Sequence, residues 1–466
     1  MLPQIQGDLS ASLDQVSWIV TAAVVAGAIG TPPTPWLAAR FGQRQLFIGA
    51  LVAFTVSSTM IGLSTSLTEV LIWRILQSLT GAPIMALSQT FTLNLYPEEQ
   101  RPFALAMWTI GLTCGWVFAP AVGAYLADQQ TWRLIFLVLG PLGALCIIMC
   151  VAFLPKTGKD EKLEFDWLGF LVLSIALASL QIVLNRGQRL DWFDSSQILI
   201  CTAFGVVSLY CFVVHSLTTA KPFFNWTIFR DKNFAVGTLL TFTFAFISLP
   251  PLVIVPPMLA QIKGLEVITI GFIMIPRGCI QLVTTLLIAR LIGKIDARVL
   301  ICAGFVLYAI GSLMMSRFNL SIGLWDVIIP LTIQGVAMSI IWLPIFNMMY
   351  ATLDENLRTD GASVTGLAYS ISSSAGVAVS ITFISRLSQT SNEELATHIE
   401  PTNELLQFPE YASWDLSAQD TLAAIQAEVA QQALMLSYVN VFWMLTIICV
   451  AAIPIVVVFG SSNLKR

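Results

Sequence analysis

Two arginines lie within long apolar stretches of this 466-residue chain, where a charged side chain needs a reason to be present. A charge at the centre of a membrane-spanning helix costs about 2.5–3.5 kcal/mol on insertion scales. Arg74 and Gln77, in LIWRILQSLTG, are three residues apart and therefore share one face of a helix. Two interpretations of Arg74 stay open: a functional cation, or a side chain whose head reaches the outer interface along its apolar stem.

The second arginine, Arg277, lies deep in ITIGFIMIPRGCIQLVTTLLIAR, directly after Pro276. Proline breaks a helix by freeing a carbonyl one turn back, and broken spans are typical of transporter binding sites. We therefore predict that Arg277 is a counter-ion for an anionic substrate or for a carboxylate on another helix, with a structural buried cation as the alternative. Prolines, aromatic residues and methionines near Gln334, Trp342 and Asn347 predict an adaptable substrate cavity, although helix packing alone would look similar.

Carboxylates are absent from the middle of the apolar stretches. Those near the stretches lie at their edges: Glu69, Asp166, Glu266 and Asp326. Proton transfer needs a group whose pKa is near the ambient pH. His215 lies near the end of its stretch, which favours an interfacial position over a proton carrier. The sequence as given therefore shows no evident proton carrier in the membrane.

Other kinds of chemistry find no support in the motifs. The eight cysteines fall inside or at the edge of apolar runs, at spacings that fit neither a metal site nor a disulfide framework. We interpret them as core residues. Nucleotide-binding loops, zinc motifs and nucleophile elbows are missing from the sequence. We expect no enzymatic activity, no bound cofactor or metal, and no nucleic-acid partner.

The chain that carries these residues is 56% hydrophobic and only 11% charged, with a mean hydropathy of +0.81. A soluble domain has roughly 25% charged residues, and about 20 apolar residues cross a bilayer as a helix. The pattern predicts an all-α polytopic membrane protein, which has the lipid bilayer as an obligatory partner. Its thirteen predicted spans are 17–38, 46–64, 70–94, 103–126, 134–154, 167–185, 197–217, 234–259, 268–292, 299–316, 325–350, 362–385 and 435–459.

Lysine and arginine are distributed unevenly between the two sets of alternating loops. Fifteen fall on the side of the C-terminus and six on the other side. Because cytoplasmic loops are enriched in basic residues, we predict that the C-terminus is cytoplasmic. The N-terminus would then lie outside, which is unusual for a chain that shows no signal peptide.

Two loops on the predicted cytoplasmic side are similar to each other. LAARFGQR (37–44) and IARLIGK (288–294) both contain Ala-Arg followed by a glycine and a basic residue. In its half of the chain, the second loop is preceded by two spans, but the first loop is preceded by only one. If the halves are repeats, as in many transporters, the first half lacks a span at its start. The charge count leads to the same expectation.

These stretches together resemble the major facilitator superfamily, in particular its 14-span drug:proton antiporter group (EmrB/QacA-like). PWLAARFGQR resembles the loop motif G-x-L-A-D-R-x-G-R-R, LIWRILQSLTGAP resembles the fourth-span motif, and GWVFAPAVGA resembles the antiporter motif G-x-x-x-G-P-x-x-G-G. NRGQRLDWFDSS, IPRGC, RTDGAS and QQALMLSYVNVFW match the group at the expected places, so the resemblance covers the whole chain. The missing piece would be the group's first span, which usually carries an Asp associated with proton coupling.

The resemblance implies a major facilitator fold of two six-helix bundles, the first lacking one helix, plus two inserted spans. Residues 1–154 would form the N-terminal bundle, 155–226 the linker with the two extra spans, and 227–466 the C-terminal bundle. The implied function is proton-coupled multidrug efflux: export of small lipophilic compounds by alternating access. The location would be a bacterial inner membrane, with the proton gradient as the energy source.

Roles for particular residues also follow from the resemblance. Arg74 and Gln77 would couple proton movement to conformational change. Arg40, Gly42 and Arg44 would form a gating loop, in which the glycine permits a positive φ and the arginines reach lipid phosphates or helix C-termini. The family's Asp is replaced by alanine in this loop, so gating would be biased. A simple orientation signal is the alternative.

The antiporter helix would carry Gly115, Ala119, Pro120 and Gly123. The two glycines and the alanine recur every four residues, which predicts a stripe of small residues packed closely against a neighbouring helix. The proline would bend the helix. Since such stripes are common in membrane bundles, ordinary packing stays open as the alternative.

The longest predicted loop, 387–434, lies outside the membrane and contains no lysine or arginine. Leu422, Ile425 and Val429 have mostly helical spacing, which predicts an amphipathic helix that continues into the last span. In the resembling group such a transporter docks a periplasmic adaptor protein. A helix folded over the protein's own outer mouth is the alternative.

Two other functions remain open on the sequence. One is uptake of a metabolite by the same kind of fold. The other is a non-transporting or uncoupled membrane scaffold or sensor derived from a transporter. The missing span, the absent membrane carboxylates and the replaced motif residues favour the second.

Overall fold

The structure, a computed structural model, describes residues 2–97, 100–129, 132–155, 158, 164–219, 226–397 and 419–457. Regular secondary structure within these ranges is helical. Eleven of the described helices are long and apolar enough to cross a membrane. A twelfth candidate span is α2 (Leu13–Gly30) together with α3 (Thr34–Phe41), which meet at a 55° bend next to two prolines. The predicted all-α polytopic class is confirmed.

The N-terminal half contains five of the predicted spans. A short helix, α1 (Leu2–Asp8), precedes the bent α2–α3 pair. It is followed by α4 (Gln43–Leu63), α5 (Leu67–Leu95), α6 (Arg101–Gln129), α7 (Trp132–Leu137) and α8 (Leu139–Phe153). The last two form one span. α6 corresponds to the predicted span 103–126, and some of its side chains lie outside the described residues.

Two inserted helices follow, α9 (Trp167–Arg186) and α10 (Ser196–Thr218). Leu173 and Leu177 of α9 and Phe212 of α10 share one buried cluster with Ala28 of α2. Ile371, from the C-terminal half, packs against the same cluster. The inserted pair therefore lies along one seam between the two halves. The predicted boundaries at 155 and 227 fall just outside this pair.

The C-terminal half contains six spans. They are α11 (Lys232–Ser248) with α12 (Pro250–Lys263), α13 (Val267–Leu291), α14 (Ala297–Met315), α15 (Leu324–Ala351), α16 (Arg358–Thr397) and α17 (Gln419–Val457). The largest buried apolar cluster lies here and includes Phe305, Tyr308 and Phe442. α15 packs against α11, α13 and α14 and forms the centre of this half.

The outer segment differs from its prediction at one end. Residues 387–397, predicted as loop, continue α16 because the sequence has no glycine or proline between Gly376 and Pro401 to stop the helix. Residues 398–418 lie outside the described part of the chain. The predicted amphipathic helix exists and runs without a break into the last span as α17.

Several carboxylates at the span edges have a local structural role, since they accept hydrogen bonds from free N–H groups at helix starts. Asp166 accepts from Gly169 N at 2.8 Å, and Asp326 accepts from Gly323 N at 2.7 Å. Glu69, in the first turn of α5, accepts from Thr65 N at 2.8 Å. Capping therefore explains three of the four edge positions, whereas Glu266 precedes α13 without a side-chain cap hydrogen bond.

Candidate transport path and coupling site

Arg74 and Gln77 form the predicted pair on one face of α5. Arg74 Nη1 donates to Gln77 Oε1 at 2.5 Å, and Gln77 Nε2 donates to Ser58 Oγ on α4 at 2.6 Å. The guanidinium lies 5.6 Å from the ring centroid of Phe136, so it also has a cation–π contact. Arg74 is half-buried and Gln77 is 3% exposed. The charge is therefore held by a network across three helices rather than by water alone.

The C-terminal half repeats part of this network. Gln334 Nε2 donates to Ser312 Oγ on α14 at 3.2 Å. Gln334 stands at the same position along α15 as Gln77 along α5, ten residues after the first helical residue. We predicted that Gln334 faces a substrate cavity, but this is wrong: its side chain is fully buried between α14 and α15. Gly311, which has no side chain, makes room for it.

Arg277 lies against the break between α11 and α12. Pro250 and Pro251 have no N–H, so the last carbonyls of α11 lose their usual donors. Arg277 Nη2 donates to Ser248 O at 3.0 Å, and the Tyr308 hydroxyl donates to Ile247 O at 2.9 Å. This gives Arg277 the structural role that the sequence left open. It does not account for the whole guanidinium, because Nη1 has no hydrogen-bond partner among the described residues.

Pro276, the residue before Arg277, lies within α13, and that helix continues through it. The backbone around Arg277 is in close contact with α15: a side chain at Gly335 would collide with Arg277 O. The predicted break is therefore found not at Pro276 but at the facing proline pair of α11–α12.

Trp342 belongs to an aromatic cluster at the contact between the two halves. Its ring centroid lies 4.3 Å from that of Phe346, 5.2 Å from Phe244 and 5.4 Å from Tyr369. Phe346 in turn lies 6.2 Å from Trp108 of α6 in the N-terminal half. An apolar compound between the halves would meet this surface. Trp342 itself is 8% exposed, so such a compound would contact mainly the rings that pack around it.

Asn347 follows one turn after this cluster on α15. Its side chain is half-buried and donates to Leu343 O of its own helix at 2.9 Å. The amide therefore has one donor committed locally, and its position as a cavity residue stays a prediction.

The gating loop connects α3 to α4. Gly42 has φ 88° and ends α3 in a backbone conformation that other residues rarely adopt. Arg44 Nη2 donates to Val151 O, in the last turn of α8, at 2.6 Å, as the preference of cations for helix C-termini predicts. Arg40 lies half-buried in the last turn of α3. Gln43 Nε2 contacts Thr359 Oγ1 of the C-terminal half at 3.4 Å.

Sequence reasoning missed a polar cluster that joins the two halves at this same end of the helices. Arg358 Nη1 donates to Asn94 Oδ1 at 2.8 Å and pairs with Glu355 at 2.9 Å. Glu355 also lies 3.7 Å from Arg101 of the N-terminal half. We call Asn94, Arg101, Glu355 and Arg358 the basic-end lock. The motif RTDGAS contains one of the four, but nothing in the sequence shows that the others meet it.

The antiporter helix does not show the predicted close packing along its whole stripe. Gly115 and Ala119 are exposed, and a Cβ placed at Gly115 would meet no described atom within 4 Å. Gly123 is buried, and a Cβ there would touch Ile135 Cδ1 at 4.0 Å. Pro120 lies within α6, and its side chain is outside the described residues. Packing is therefore limited to one end of the stripe, because no helix covers the rest among the residues described.

His215 is placed at the basic end of α10, close to where the sequence puts it. Its Nε2 lies 2.9 Å from Asp166 Oδ1 at the start of α9. This pair joins the two inserted helices at the end that we predict to be cytoplasmic.

Comparisons with known proteins agree with this geometry. A family model described as Major Facilitator Superfamily matches residues 1–380. The chain is 31% identical over 451 residues to the probable multidrug resistance protein EmrY of Escherichia coli, covering 96% of this chain and 88% of that protein. It is 30% identical over 447 residues to the multidrug export protein EmrB of Haemophilus influenzae, covering 95% and 88%.

A third relative is the fatty acid resistance protein FarB of Neisseria gonorrhoeae, 27% identical over 458 residues, which cover 98% of this chain and 90% of FarB. Among solved structures, the proton:xylose symporter XylE bound to 6-bromo-6-deoxy-D-glucose matches with a TM-score of 0.61 at 13% identity. The match covers 96% of this chain and 89% of XylE. The predicted major facilitator fold is confirmed.

Proposed function

This chain belongs to the Major Facilitator Superfamily, and on that premise we propose that it exports small lipophilic compounds across a bacterial inner membrane by alternating access, driven by the proton gradient. Relatives that carry the names multidrug export protein and multidrug resistance protein align along nearly the whole chain. The aromatic cluster around Trp342 offers an apolar, adaptable surface between the halves, which suits varied lipophilic compounds.

The observation that carries the proposal is the basic-end lock. Polar contacts between the halves concentrate there: Arg358 with Asn94, Glu355 with Arg101, and Gln43 with Thr359. At mid-height the halves share a weaker contact, Gln281 Nε2 to Thr113 Oγ1 at 3.4 Å. Alternating access needs two rigid halves whose contacts can open at one end while closing at the other. A polar lock suits this role because water replaces its hydrogen bonds when it opens.

Proton coupling needs a titratable group, and we propose Asp360. It is a half-buried carboxylate in the first turn of α16, two residues after Arg358 of the lock. Protonation of Asp360 would remove a negative charge beside the lock and so change how firmly the halves are held together. Arg74 and Gln77 would act on the N-terminal half in the same cycle.

The outer ends of α16 and α17 are the proposed contact for a periplasmic adaptor protein. Both helices extend beyond their predicted spans and pack against each other. In this extension Ile425 of α17 is 7% exposed, whereas Leu422 is 47% exposed. One apolar face of the α16–α17 pair is therefore buried inside the protein, and another is exposed and available to a partner. Co-purification from detergent extracts with and without residues 387–434 would test this contact.

The experiment that tests the function compares wild type with two variants in a host that lacks its own efflux pumps. We expect the wild type to raise tolerance to lipophilic drugs and, in inverted vesicles, to release protons when a drug is added. Arg358→Ala should abolish both effects, and Asp360→Asn should abolish proton release. Arg317→Ala, which removes an exposed arginine at the opposite end, is the control and should behave as wild type.

Each rival function predicts a different result. A scaffold or sensor would leave tolerance unchanged at normal expression. An uptake permease would accumulate its substrate in right-side-out cells and would not lower drug accumulation. Either result would contradict the proposal.

A further inference from the structure

Arg277 is a buried cation whose charge is only partly neutralised. Its side chain is 2% exposed. Nη2 donates to Ser248 O and lies 3.1 Å from Met338 Sδ, whereas Nη1 has no hydrogen-bond partner among the described residues. The free carbonyls at the end of α11 act as about half of a negative charge. Because low-dielectric surroundings penalise an isolated ion, the remaining positive charge requires an anion.

No carboxylate in the described part of the chain supplies that anion. The ion pairs of Arg101, Arg133, Arg358 and His215 lie at helix ends. The side chains that act on Arg277 are those of Tyr308, by charge and by hydrogen bonding, and of Tyr369, by charge, and neither is a carboxylate. The sequence also places no Asp or Glu in the middle of any span. The counter-ion of Arg277 therefore comes from outside the described residues.

Residues near Arg277 carry further donors and reach the aromatic cluster at the contact between the halves. Arg277 Nη2 donates to Ser248 O, and Tyr369 acts electrostatically on Arg277, so both residues lie near the guanidinium. The hydroxyl hydrogens of serine and tyrosine can rotate toward a bound anion. Tyr369 is half-buried and its ring lies 5.4 Å from Trp342. The same tyrosine thus acts electrostatically on the guanidinium and packs on the aromatic cluster. An amphiphile could place its head at Arg277 and its tail on the aromatic rings.

We propose that Arg277, with Ser248 and Tyr369, binds a monovalent anion, either the charged head of a lipophilic substrate or a free halide ion. In its substrate form this inference rests on the proposed export function and names the substrate class: lipophilic anions rather than lipophilic cations, which the guanidinium would repel. In its halide form the site stands independently of that function. The substrate head and the halide ion would be bound by the same guanidinium, and a titration distinguishes between them.

The test is a calorimetric titration of the full chain in lipid nanodiscs, in sodium gluconate buffer, with empty nanodiscs as the partition blank. The probes are dodecanoate, dodecyltrimethylammonium and chloride. Dodecanoate binding at least about tenfold tighter than the matched cation assigns the site to a substrate head. Saturable chloride binding without that preference assigns it to a halide. If neither anion binds, or if the cation binds as tightly as dodecanoate and chloride does not bind, the inference is overturned.

Two variants locate the binding. Arg277→Gln should weaken the bound anion at least about tenfold, while Arg277→Lys keeps the charge and should retain part of the affinity. Arg186→Gln removes another buried arginine, which packs on Trp18, and should bind as wild type. Unchanged anion affinity in Arg277→Gln would overturn the assignment. If a variant does not fold, the titrations of the wild type with the three probes still test the proposal.

Failure of this inference can be told apart from failure of the export function. A wild type that binds anions at Arg277 but leaves drug tolerance unchanged would overturn the export function alone. A wild type that exports lipophilic cations as well as anions, with no anion bound at Arg277, would overturn this inference alone.

Discussion

The two halves of the protein carry the same buried glutamine–serine pair, but they surround it differently. In the N-terminal half Gln77 bonds Ser58 at 2.6 Å and also accepts from Arg74. In the C-terminal half Gln334 bonds Ser312 at 3.2 Å, and its Oε1 has no partner among the described residues. Both glutamines occupy the same position in their helices, and so do both serines. The halves are therefore repeats of one scaffold.

The charge is what differs between the repeats. When Gln77 is aligned with Gln334, Arg74 corresponds to Leu331, which is fully buried in apolar surroundings. If the two similar loops are aligned on Arg40 and Arg290, Arg277 corresponds to Gly27. Each half thus has one arginine in the membrane, at positions that do not correspond. The two halves therefore share the positions of their helices but differ in where their membrane arginines lie.

Exchanging the two glutamines for leucine should give the largest difference between the halves. Gln77→Leu removes a hydrogen bond to a charged group, worth about 1.5–3 kcal/mol, and leaves Arg74 without that acceptor. Gln334→Leu removes one neutral bond, about 1 kcal/mol, and also removes an unpartnered oxygen, so its net cost should be small. Thermal unfolding in detergent and drug tolerance should both fall much more for Gln77→Leu. Equal losses in the two variants would mean that Arg74 adds nothing to the pair.

A second exchange tests how tightly each repeat is packed. Gly335 corresponds to Ser78, and a side chain at Gly335 would collide with Arg277 O and Ile280 Cγ2. We expect Gly335→Ser to destabilise the protein by about 1–3 kcal/mol because the core cannot easily expand. Gly115→Ser, where a Cβ meets no described atom, is the matched control and should be nearly neutral. The unfolding midpoint of the two variants measures this, and a tolerated Gly335→Ser would show that α13 and α15 can separate.

The sequence was sufficient for features that depend on local chemistry. Hydropathy predicted thirteen spans, and the described part of the chain has eleven spans that are long and apolar enough to cross a membrane, or twelve with the bent α2–α3 pair, because apolar length decides what crosses a bilayer. The Arg74–Gln77 pair was predictable because both residues lie on one helix. The two similar loops were predictable from the sequence, and their glycines, Gly42 and Gly293, both have φ 88°.

Features that depend on contacts between distant segments could not be predicted. The basic-end lock joins residues more than 250 positions apart, and the partner of Gln334 lies on a different helix. Periodicity shows that a polar residue is in a span, but not whether it faces a cavity or another helix. Pro276 was a misleading signal for the same reason: the helix breaks at Pro250, on the segment that Arg277 faces.

The matching loops should respond alike to substitution. Gly42 and Gly293 both have φ 88°, where a Cβ is strained, so Gly42→Ala and Gly293→Ala should each cost about 1–2 kcal/mol. Gly7→Ala has open space around the new Cβ and is the control. Chemical denaturation would measure the three variants. A loss confined to Gly42→Ala would show that the two loops do not respond alike and that the chain around Gly293 relaxes to accept a side chain.

The smallest expected effect concerns the end of the N-terminal half opposite the basic-end lock, where α1 packs against α7. Asp8 accepts hydrogen bonds from Trp132 Nε1, at 3.0 Å, and from Arg133. These bonds hold the pKa of Asp8 below its usual range, with Trp132 as the larger cause. A depressed folded-state pKa means that this contact contributes stability at every pH above the unfolded value of about 4, and the contribution is lost as the pH falls through the lower folded value.

Asp8→Asn should weaken the docking of α1 at neutral pH and remove its pH dependence below pH ~4. Hydrogen exchange of residues 2–9 across this range would measure both, with the exposed Asp194→Asn as control. An α1 that exchanges at the same rate in wild type and Asp8→Asn at neutral pH would mean that its apolar contact through Ile5, 3% exposed, holds the helix without the ion pair.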